Sequence, residues 1–214
     1  RRLYVFDVRG GSEGLEHVGT LHDGEIFLSS CSAAGSSSAG FTIDIDSEGS
    51  LYIANSCADK IHKFSPTEFT ADGEISLGSH IGWLGKCDSS SNNACNEEEK
   101  RSKGYSCTDQ TCSVANSGGD ATGQFNTPLH LTLDPNDILY VADYANQRIQ
   151  RFTPDGSFAG EAVSTGTGIN KGEEPGFILG NFDKPKNLSV NSTQFFIVDQ
   201  AESFVHVFET SPLK

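Results

Sequence analysis

The sequence predicts an all-β fold, and three observations support that class. Short runs that alternate apolar and polar residues recur along the 214-residue chain, separated by Gly, Pro, Asn and Asp. No 3.6-residue hydrophobic period lasts long enough to indicate a helix. One short unit also returns at 51–64, 139–152 and 195–208, which indicates a repeat architecture.

The repeated unit can be read directly from its copies. They are LYIANSCADKIHKF, LYVADYANQRIQRF and FFIVDQAESFVHVF, and each ends in a Phe nine residues after an Asp or Asn. The residues at that Asp or Asn position are Asn55, Asp143 and Asp199. Upstream, GQFNTPLHLTLDPNDILYVAD at 123–143 parallels GNFDKPKNLSVNSTQFFIVD at 180–199. A complete unit therefore predicts four short strands, called a to d: LHLTLD, ILYVAD, RIQRF and SFAGEAV.

Four-stranded antiparallel units that repeat along a chain predict a β-propeller, in which each unit forms one blade. The segment 123–158 resembles the NHL repeat, whose pattern is G-x-F-x-x-P, a hydrophobic strand, (L/V)YVAD and N-x-R-(I/V). The matching residues are Gly123, Phe125, Pro128, Asp134, Tyr140, Asp143, Asn146 and Arg148. The copy at 180–214 lacks the N-x-R, and the copy at 41–64 has Lys60 in place of the Arg.

The repeat also predicts how the chain is divided. We expect strands c and d within 1–30, a blade at 39–82, a Cys-rich insertion at 83–122, a blade at 123–166 and strands a to c at 180–214. The resemblance implies roughly four blades of a six-bladed NHL-type ring, the first and last of them incomplete. Open blade edges invite association. We therefore expect the missing strands to come from other segments of a larger protein or from another chain.

Charge and hydropathy exclude several classes of partner. The net charge is -14 and the pI is about 4.7, and no Lys/Arg cluster interrupts this acidic surface. Such a surface repels nucleic acid and anionic membranes, so basic protein surfaces or calcium are the expected partners. No apolar run reaches the roughly 18 residues that a membrane span needs. The N-terminal RRLYVFDV has no signal-peptide pattern and starts directly in strand-like sequence, which indicates a mature piece, or an ordered segment, of a longer protein.

Cysteines and sequons favour an extracellular location. The six cysteines are Cys31, Cys57, Cys87, Cys95, Cys107 and Cys112. The last four have the spacing C-x7-C-x11-C-x4-C, which fits disulfides better than zinc. We expect the pairs Cys87–Cys95, Cys107–Cys112 and Cys31–Cys57, although other connectivities stay open. The sequons at Asn187 and Asn191 predict glycosylation and agree with an oxidising compartment.

The polar set of the repeat has a structural and a chemical interpretation. Asp143, Asn146 and Arg148 could line a site, but the Asp or Asn position recurs from unit to unit, as architectural residues do. We expect Asp143 and Asn146 to satisfy backbone groups of a turn. Arg148 is expected to pair with a carboxylate between blades. Asn55 and Asp199 are expected to play the same structural part as Asp143.

Metal chemistry is the alternative. The histidines are His17, His22, His62, His80, His130 and His206. The resemblance extends to peptidyl-hydroxyglycine lyases, whose propeller has histidine metal ligands just after a Pro, but here His130 comes one position late. Cys57 does lie in the b–c loop where those lyases hold a disulfide cysteine. His62 and His206 share a strand-c position, which favours packing or surface roles.

Calcium is the one cofactor that the sequence suggests. In DIDSEGS at 44–50, Asp44, Asp46 and Glu48 alternate as calcium ligands can. The same stretch is the a–b turn of the repeat, where Asp and Gly are expected without any metal. We expect no catalytic residue and no other cofactor.

These observations predict a protein-interaction and structural scaffold module rather than an enzyme. We expect it in a larger surface or secreted glycoprotein that is adhesive or forms filaments, with the insertion as its specific contact surface. The alternative is a metal-dependent propeller enzyme, similar to the peptidyl-hydroxyglycine lyases or to lactonases. A third class, the cytosolic RNA-binding NHL domain, would require a basic face and free thiols.

Overall fold

The structure, a computed structural model, describes the repeat units but not the centre of the insertion. The residues that it describes are 2–7, 16–22, 40–66, 68–69, 75–76, 78–86, 118–163, 183–201 and 203–209. Their regular elements are β-strands, apart from a 3-10 turn at Tyr144–Asn146, so the predicted all-β class is confirmed. Among these residues no helix is long and apolar enough to cross a bilayer.

The described strands follow the predicted order of short elements. They are β1 (Arg2–Asp7), β2 (Glu16–His22), β3 (Phe41–Ile45), β4 (Leu51–Asn55), β5 (Lys60–Phe64), β6 (Glu68–Phe69), β7 (Ile75–Ser76), β8 (His80–Gly85), β9 (Pro128–Leu133), β10 (Leu139–Asp143), β11 (Arg148–Phe152), β12 (Phe158–Val163), β13 (Pro185–Val190), β14 (Gln194–Asp199) and β15 (Phe204–Glu209).

Three antiparallel sheets correspond to the repeat. We call β3–β4–β5–β8 the first blade, β9–β10–β11–β12 the second blade and β13–β14–β15 the third blade. Within each blade the strands pair in chain order, as strands a, b, c and, in the first two, d. β1 and β2 form a separate antiparallel hairpin. Their assignment as strands c and d of a further blade stays a prediction.

The first blade differs from the prediction at strand d. Before strand d, Ile75–Ser76 pairs with Glu68–Phe69 in a small hairpin. Strand d is His80–Gly85, which pairs with β5. It runs past residue 83, where the insertion was expected to begin, because Trp83 and Leu84 are buried in the blade (1% and 6% exposed).

The register is the same in all three blades. The central pairs of strands a and b are Ile43–Ile53, Leu131–Val141 and Leu188–Ile197. Because side chains alternate between the faces of a strand, equal register gives each blade the same two faces. Equivalent residues in different blades can therefore be compared directly.

The blades pack face to face, and two hydrophobic clusters join them. Between the first and second blades lie Tyr52, Ala54, Ile61, Leu84, Phe125, Leu131, Leu139, Val141 and Phe152. Between the second and third lie Tyr140, Ala142, Ile149, Leu188, Phe195 and Ile197. Each large apolar side chain buried here contributes roughly 1.5–3 kcal/mol. Strand a of each blade contacts strand a of the next, as in successive blades of a propeller.

Polar contacts also cross the two interfaces between neighbouring blades, which we call the first seam (first and second blades) and the second seam (second and third blades). Between the first and second blades, the backbone N–H of Leu133 donates to Asp44 Oδ2 at 2.8 Å. The N–H of Thr127 donates to Asp59 Oδ1 at 2.6 Å. Side chains of one blade thus satisfy backbone groups at the start and end of strand a in the next. These bonds fix the angular position of neighbouring blades as well as their spacing.

Candidate functional site

The candidate site lies where the insertion leaves and rejoins the blades. Residues 87–117, the centre of the insertion, are outside the described residues, and so are Cys87, Cys95, Cys107 and Cys112. The flanking residues are described. Lys86 follows strand d of the first blade, and its Nζ donates to the carbonyl oxygen of Gly118 at 3.4 Å. The two ends of the insertion therefore meet.

Arg148 holds the returning end of the insertion. This side chain starts strand c of the second blade and is only 5% exposed. Its Nη1 donates to the carbonyl of Asp120 at 2.8 Å, and its Nη2 donates to the carbonyls of Ala121 (2.9 Å) and Gln124 (2.8 Å). Its Nε donates to Asp143 Oδ2 at 2.8 Å. One guanidinium thus joins three loop carbonyls to a buried carboxylate.

Two amide side chains complete this arrangement. Asn146 Nδ2 donates to the carbonyl of Gly119 at 2.8 Å and to Asp143 Oδ2 at 2.9 Å. Gln150 accepts from the N–H of Gly123 at 2.8 Å through Oε1. Its Nε2 lies 3.2 Å from Asp143 Oδ2. We call Asp143, Asn146, Arg148 and Gln150 the clamp, and residues 118–126 the stem.

Asp143 is the centre of the clamp. It is fully buried, and burial raises the pKa of its carboxyl to about 6, although Arg148, the N–H of Asn126 and the amide of Asn146 oppose that rise. Oδ1 accepts from the N–H of Asn126 at 2.7 Å, while Oδ2 accepts from the clamp. Donors from the protein itself surround both oxygens, so the geometry is that of an anchor rather than of a base or a metal ligand.

The described carboxylate partner of Arg148 lies within its own blade. Asp143 lies directly opposite Arg148 on the β10–β11 hairpin. The expected pairing with a carboxylate between blades stays a prediction. The short b–c turn brings the last residue of strand b beside the first residue of strand c. The pair therefore stabilises one blade and its loop.

The residues equivalent to Asp143 in the other two blades accept hydrogen bonds from shorter stretches of backbone. Asn55 Oδ1 accepts from the N–H groups of Cys57 and Ala58, both at 3.2 Å, within its own turn. Asp199 accepts from the N–H groups of Asp183 (2.5 Å) and Lys184 (3.2 Å), which lead into strand a. In the described part of the chain, the clamp with a guanidinium belongs to the blade that follows the insertion.

Cys57 lies in the b–c turn of the first blade and is disulfide-bonded. Its partner lies outside the described residues, as do Cys31 and the cysteines of the insertion. The pairs Cys31–Cys57, Cys87–Cys95 and Cys107–Cys112 stay predictions.

The calcium candidate forms part of the a–b turn. Asp46 is buried, and its carboxylate accepts from the N–H of Ser50 (2.7 Å) and the hydroxyl of Tyr52 (3.1 Å). Burial would raise the pKa of this carboxyl, but these bonds hold it below its usual value. Asp44 is directed at the second blade, and Glu48 is exposed. Over the described residues, no group of three His, Cys, Asp or Glu side chains is placed to hold a metal.

Among the described histidines, His62 and His80 lie together in the first blade, and His130 lies between the second and third blades. His62 is buried in strand c of the first blade, with Nδ1 3.2 Å from Nε2 of His80. Burial, helped by His80 and Lys60, lowers the pKa of His62 to about 3. His130 accepts from the N–H of Leu188 at 3.3 Å across the second seam. The side chains of His17 and His22 are outside the described residues.

The two sequons differ in setting. Asn191 is exposed in the a–b turn of the third blade, where its Oδ1 accepts from the N–H groups of Thr193 (2.9 Å) and Gln194 (2.8 Å). Asn187 is exposed within strand β13 and lies opposite Val198. Glycosylation of both stays a prediction.

Sequence reasoning missed two residues of the site, Gln150 and Lys86. Gln150 lies between Ile149 and Arg151 in a short strand, so its inward position could have been found from the repeat register. No sequence pattern marked Lys86, because its contact with Gly118 depends on where the chain rejoins the blades after the insertion.

Comparison with known proteins identifies the repeat. Residues 125–152 match the family model of the NHL repeat. This range contains β9 to β11 and all four clamp residues. No curated protein matches the sequence.

Several solved structures are similar to the chain at low sequence identity. An auxiliary nutrient binding protein from Bacteroides thetaiotaomicron has 14% identity and a TM-score of 0.49, with 98% of this chain and 43% of that chain covered. A candidate 6-phosphogluconolactonase from Bacteroides uniformis has 12% identity and a TM-score of 0.46, with 99% and 45% covered. A catalytically inactive virginiamycin B lyase from Staphylococcus aureus has 12% identity and a TM-score of 0.34, with 99% and 60% covered. The chain thus spans less than two thirds of the length of each.

Proposed function

We propose that this chain, which carries an NHL repeat, is a protein-interaction scaffold of an extracellular glycoprotein. In this proposal the blades form a rigid support, and the centre of the insertion, residues 87–117, is the specific contact surface. The observation that carries the proposal is the clamp, in which a buried carboxylate and guanidinium hold the backbone of the stem. The parent protein would be a surface or secreted protein that is adhesive or forms filaments.

The clamp supports binding because it orders the base of a long loop before any partner arrives. Arg148 alone donates to three stem carbonyls, and Lys86 joins the outgoing end to Gly118. A loop whose ends are fixed loses less conformational entropy on binding. Recognition loops on rigid β scaffolds work in this way.

Three features support an extracellular setting. Cys57 is disulfide-bonded, and such bonds persist in oxidising compartments. Asn191 lies in an exposed turn, as a glycan acceptor must. The net charge of -14 suits an exposed protein that remains soluble, and it favours a partner with a basic surface.

The contact surface can be tested by removing the insertion. In the test variant a short Gly-Ser linker would replace residues 87–117, while Lys86, the stem and the clamp stay in place. The intact chain and the variant would each be immobilised and exposed to extracellular proteins from the source organism. We expect proteins captured by the intact chain to be lost from the variant, whose circular dichroism spectrum should be unchanged. Equal capture by both would overturn the role of the insertion.

The compartment needs a separate test. Thiols would be counted by mass spectrometry after alkylation, under denaturing, non-reducing conditions, of the protein isolated from its source organism. We expect none of the six cysteines to be alkylated. Six alkylated cysteines would overturn the extracellular assignment and leave the loop test unaffected.

A further inference from the structure

Two ring nitrogens of the first blade are buried without a hydrogen-bond partner in the part of the chain that the structure describes. They are Nε1 of Trp83 and Nε2 of His62. Both side chains are 1% exposed, so neither nitrogen is in contact with bulk water. Nearly all buried polar groups in native proteins are satisfied by protein, by ordered water or by a bound ion. The two nitrogens therefore point to a ligand inside the blade.

His62 and Trp83 are neighbours on one face of the first blade. They lie directly opposite each other on β5 and β8, an arrangement in which Cβ atoms are about 4.5–5.5 Å apart. Ile53 lies opposite His62 on β4, and Phe64 follows on the same face of β5. Both are buried in a small apolar cluster. Hydrogen bonds are stronger in such surroundings than in water, so a ligand beside the two rings needs few contacts.

Contact with His80 allows Nε2 of His62 to act as a donor. Burial lowers the pKa of His62 to about 3, so the ring is neutral at neutral pH and carries a single hydrogen on one nitrogen. Nδ1 of His62 lies 3.2 Å from Nε2 of His80, and one of these two nitrogens donates to the other. When His80 donates, the hydrogen of His62 is on Nε2. The indole Nε1 of Trp83 is always a donor, so the opposing rings then present two N–H groups.

Positive charge lies on the same face. Lys60 is 3% exposed, and its Nζ is 4.1 Å from the centre of the Trp83 ring. The register of β3, β4, β5 and β8 places no Asp or Glu on this face within these four strands. The amide side chain that they do place there is Asn55, whose Oδ1 already accepts from the N–H groups of its own turn. The described strands thus offer hydrogen-bond donors and a cation.

A water molecule fits this set of groups poorly, because its own two hydrogens need acceptors. An anion accepts from every donor and offsets the charge of a buried ammonium. Two N–H groups and one ammonium suit a single-atom anion better than a phosphate, whose several oxygens each need donors. We infer that Lys60, His62 and Trp83 bind a small monovalent anion of the halide class inside the first blade. The site is separate from the clamp and does not depend on the proposed role of the insertion.

Chloride itself is the probe in the first experiment. The NMR line of chloride broadens when the ion exchanges with a site on a protein. The full chain would be titrated with sodium chloride, while sodium gluconate keeps the ionic strength constant. We expect excess broadening that saturates and that bromide removes by competition. The net charge of -14 keeps non-specific binding of anions low. A line as narrow as in buffer, or broadening that bromide does not remove, would overturn the inference.

Variants test which residues hold the ion. In the wild-type protein, chloride in place of gluconate, at ten times its dissociation constant, should raise the midpoint of thermal unfolding by about 3–6 °C. His62→Phe and Trp83→Phe each remove one N–H group and should lose most of this increase and of the line broadening. His130→Phe is the matched control, because His130 is a partly buried histidine at the second seam, and it should keep both effects. Each variant is compared with itself in the two salts, so a loss of stability from the substitution cancels.

Lys60→Gln tests the charge separately. It removes the ammonium and should weaken chloride binding several-fold in the NMR titration. Equal chloride effects in the wild-type protein, His62→Phe and Trp83→Phe would refute the site, and so would an unchanged affinity in Lys60→Gln. If neither ring variant folds, the wild-type titration and Lys60→Gln decide the matter.

Discussion

The guanidinium of Arg148 and the carboxylate of Asp143 lie 2.8 Å apart at the end of one hairpin, both buried, and together they hold the stem of the insertion. Residues on neighbouring strands of one blade thus determine how a loop from between two blades is attached. The relationship makes the stability of the blade and the order of the loop interdependent. It gives the first prediction.

Arg148→Met should destabilise the protein strongly. The variant leaves the Asp143 carboxylate buried without its cation, and breaking a buried pair in this way costs about 3–5 kcal/mol. The free energy of unfolding, from urea denaturation followed by circular dichroism, would measure the loss. Hydrogen exchange at Gly123, whose N–H donates to Gln150, should also become faster.

The double variant Asp143→Asn with Arg148→Met is the control for this prediction. It removes both charges, so its destabilisation should be smaller than the sum of the two single changes. Additive losses would mean that the two side chains act independently and would contradict the clamp.

His62 should make stability depend on pH. In the folded protein burial lowers its pKa to about 3, whereas the ordinary value is 6.5. As pH falls from 6.5 to 3, the unfolded chain takes up a proton that the folded chain refuses, and the free energy of unfolding decreases. The slope from this residue is at most about 1.4 kcal/mol per pH unit.

His62→Phe should therefore reduce the slope of the free energy of unfolding against pH between pH 3 and 6.5. Above pH 7 the slope should equal that of the wild-type protein. Urea denaturation at a series of pH values would measure both profiles. Parallel profiles for the two proteins would show that His62 is protonated equally in the folded and unfolded states.

Asp59→Ala should weaken the seam between the first and second blades. Its carboxylate accepts the N–H of Thr127 at 2.6 Å, and losing the acceptor leaves a half-buried donor unsatisfied. We expect a loss of about 1–2 kcal/mol in the free energy of unfolding. Asp155→Ala is the matched control, because Asp155 is exposed in a turn, where it bonds to Thr153 and Ser157 of the same turn. An equal loss in both variants would argue against a special role for the seam bond.

Gly78→Ala should be poorly tolerated because the backbone is close at that point. A Cβ at Gly78 would lie 2.0 Å from the carbonyl oxygen of Ser65. Relieving that overlap requires backbone movement at the start of strand d, at a cost of about 3 kcal/mol. Gly40→Ala is the control, since a Cβ there meets nothing within 4 Å. Thermal unfolding of the two variants would compare them, and equal midpoints would contradict the prediction.

The fold was predictable because its signal repeats. Equivalent residues such as Ala54, Ala142 and Val198 follow from the spacing of the Asp or Asn position alone, and the structure places them at one register. A strand pattern that recurs with its turns leaves few ways to bury its apolar face. The bounds of strand d in the first blade were harder to predict from the sequence, because the hairpin of β6 and β7 depends on pairing within a turn.

The site was only partly predictable, since its contacts join residues far apart in the chain. The sequence marked Asp143, Asn146 and Arg148 as a set but could not show that their partners are carbonyls of the stem. Nor could it reveal that Val198 and Val205 are exposed. Exposure depends on what covers a face, and that is a property of the assembled blades.

Trp83 has a practical consequence. It is the one tryptophan of the chain, and it is 1% exposed in strand d of the first blade, with Lys60 Nζ 4.1 Å from the centre of its ring. Tryptophan emission, excited selectively over the five tyrosines, therefore reports on the first blade, whereas circular dichroism averages over all the sheets. If the emission changes at a lower denaturant concentration than the ellipticity does, the blades unfold one after another. If both signals share one midpoint, the blades unfold as one cooperative unit.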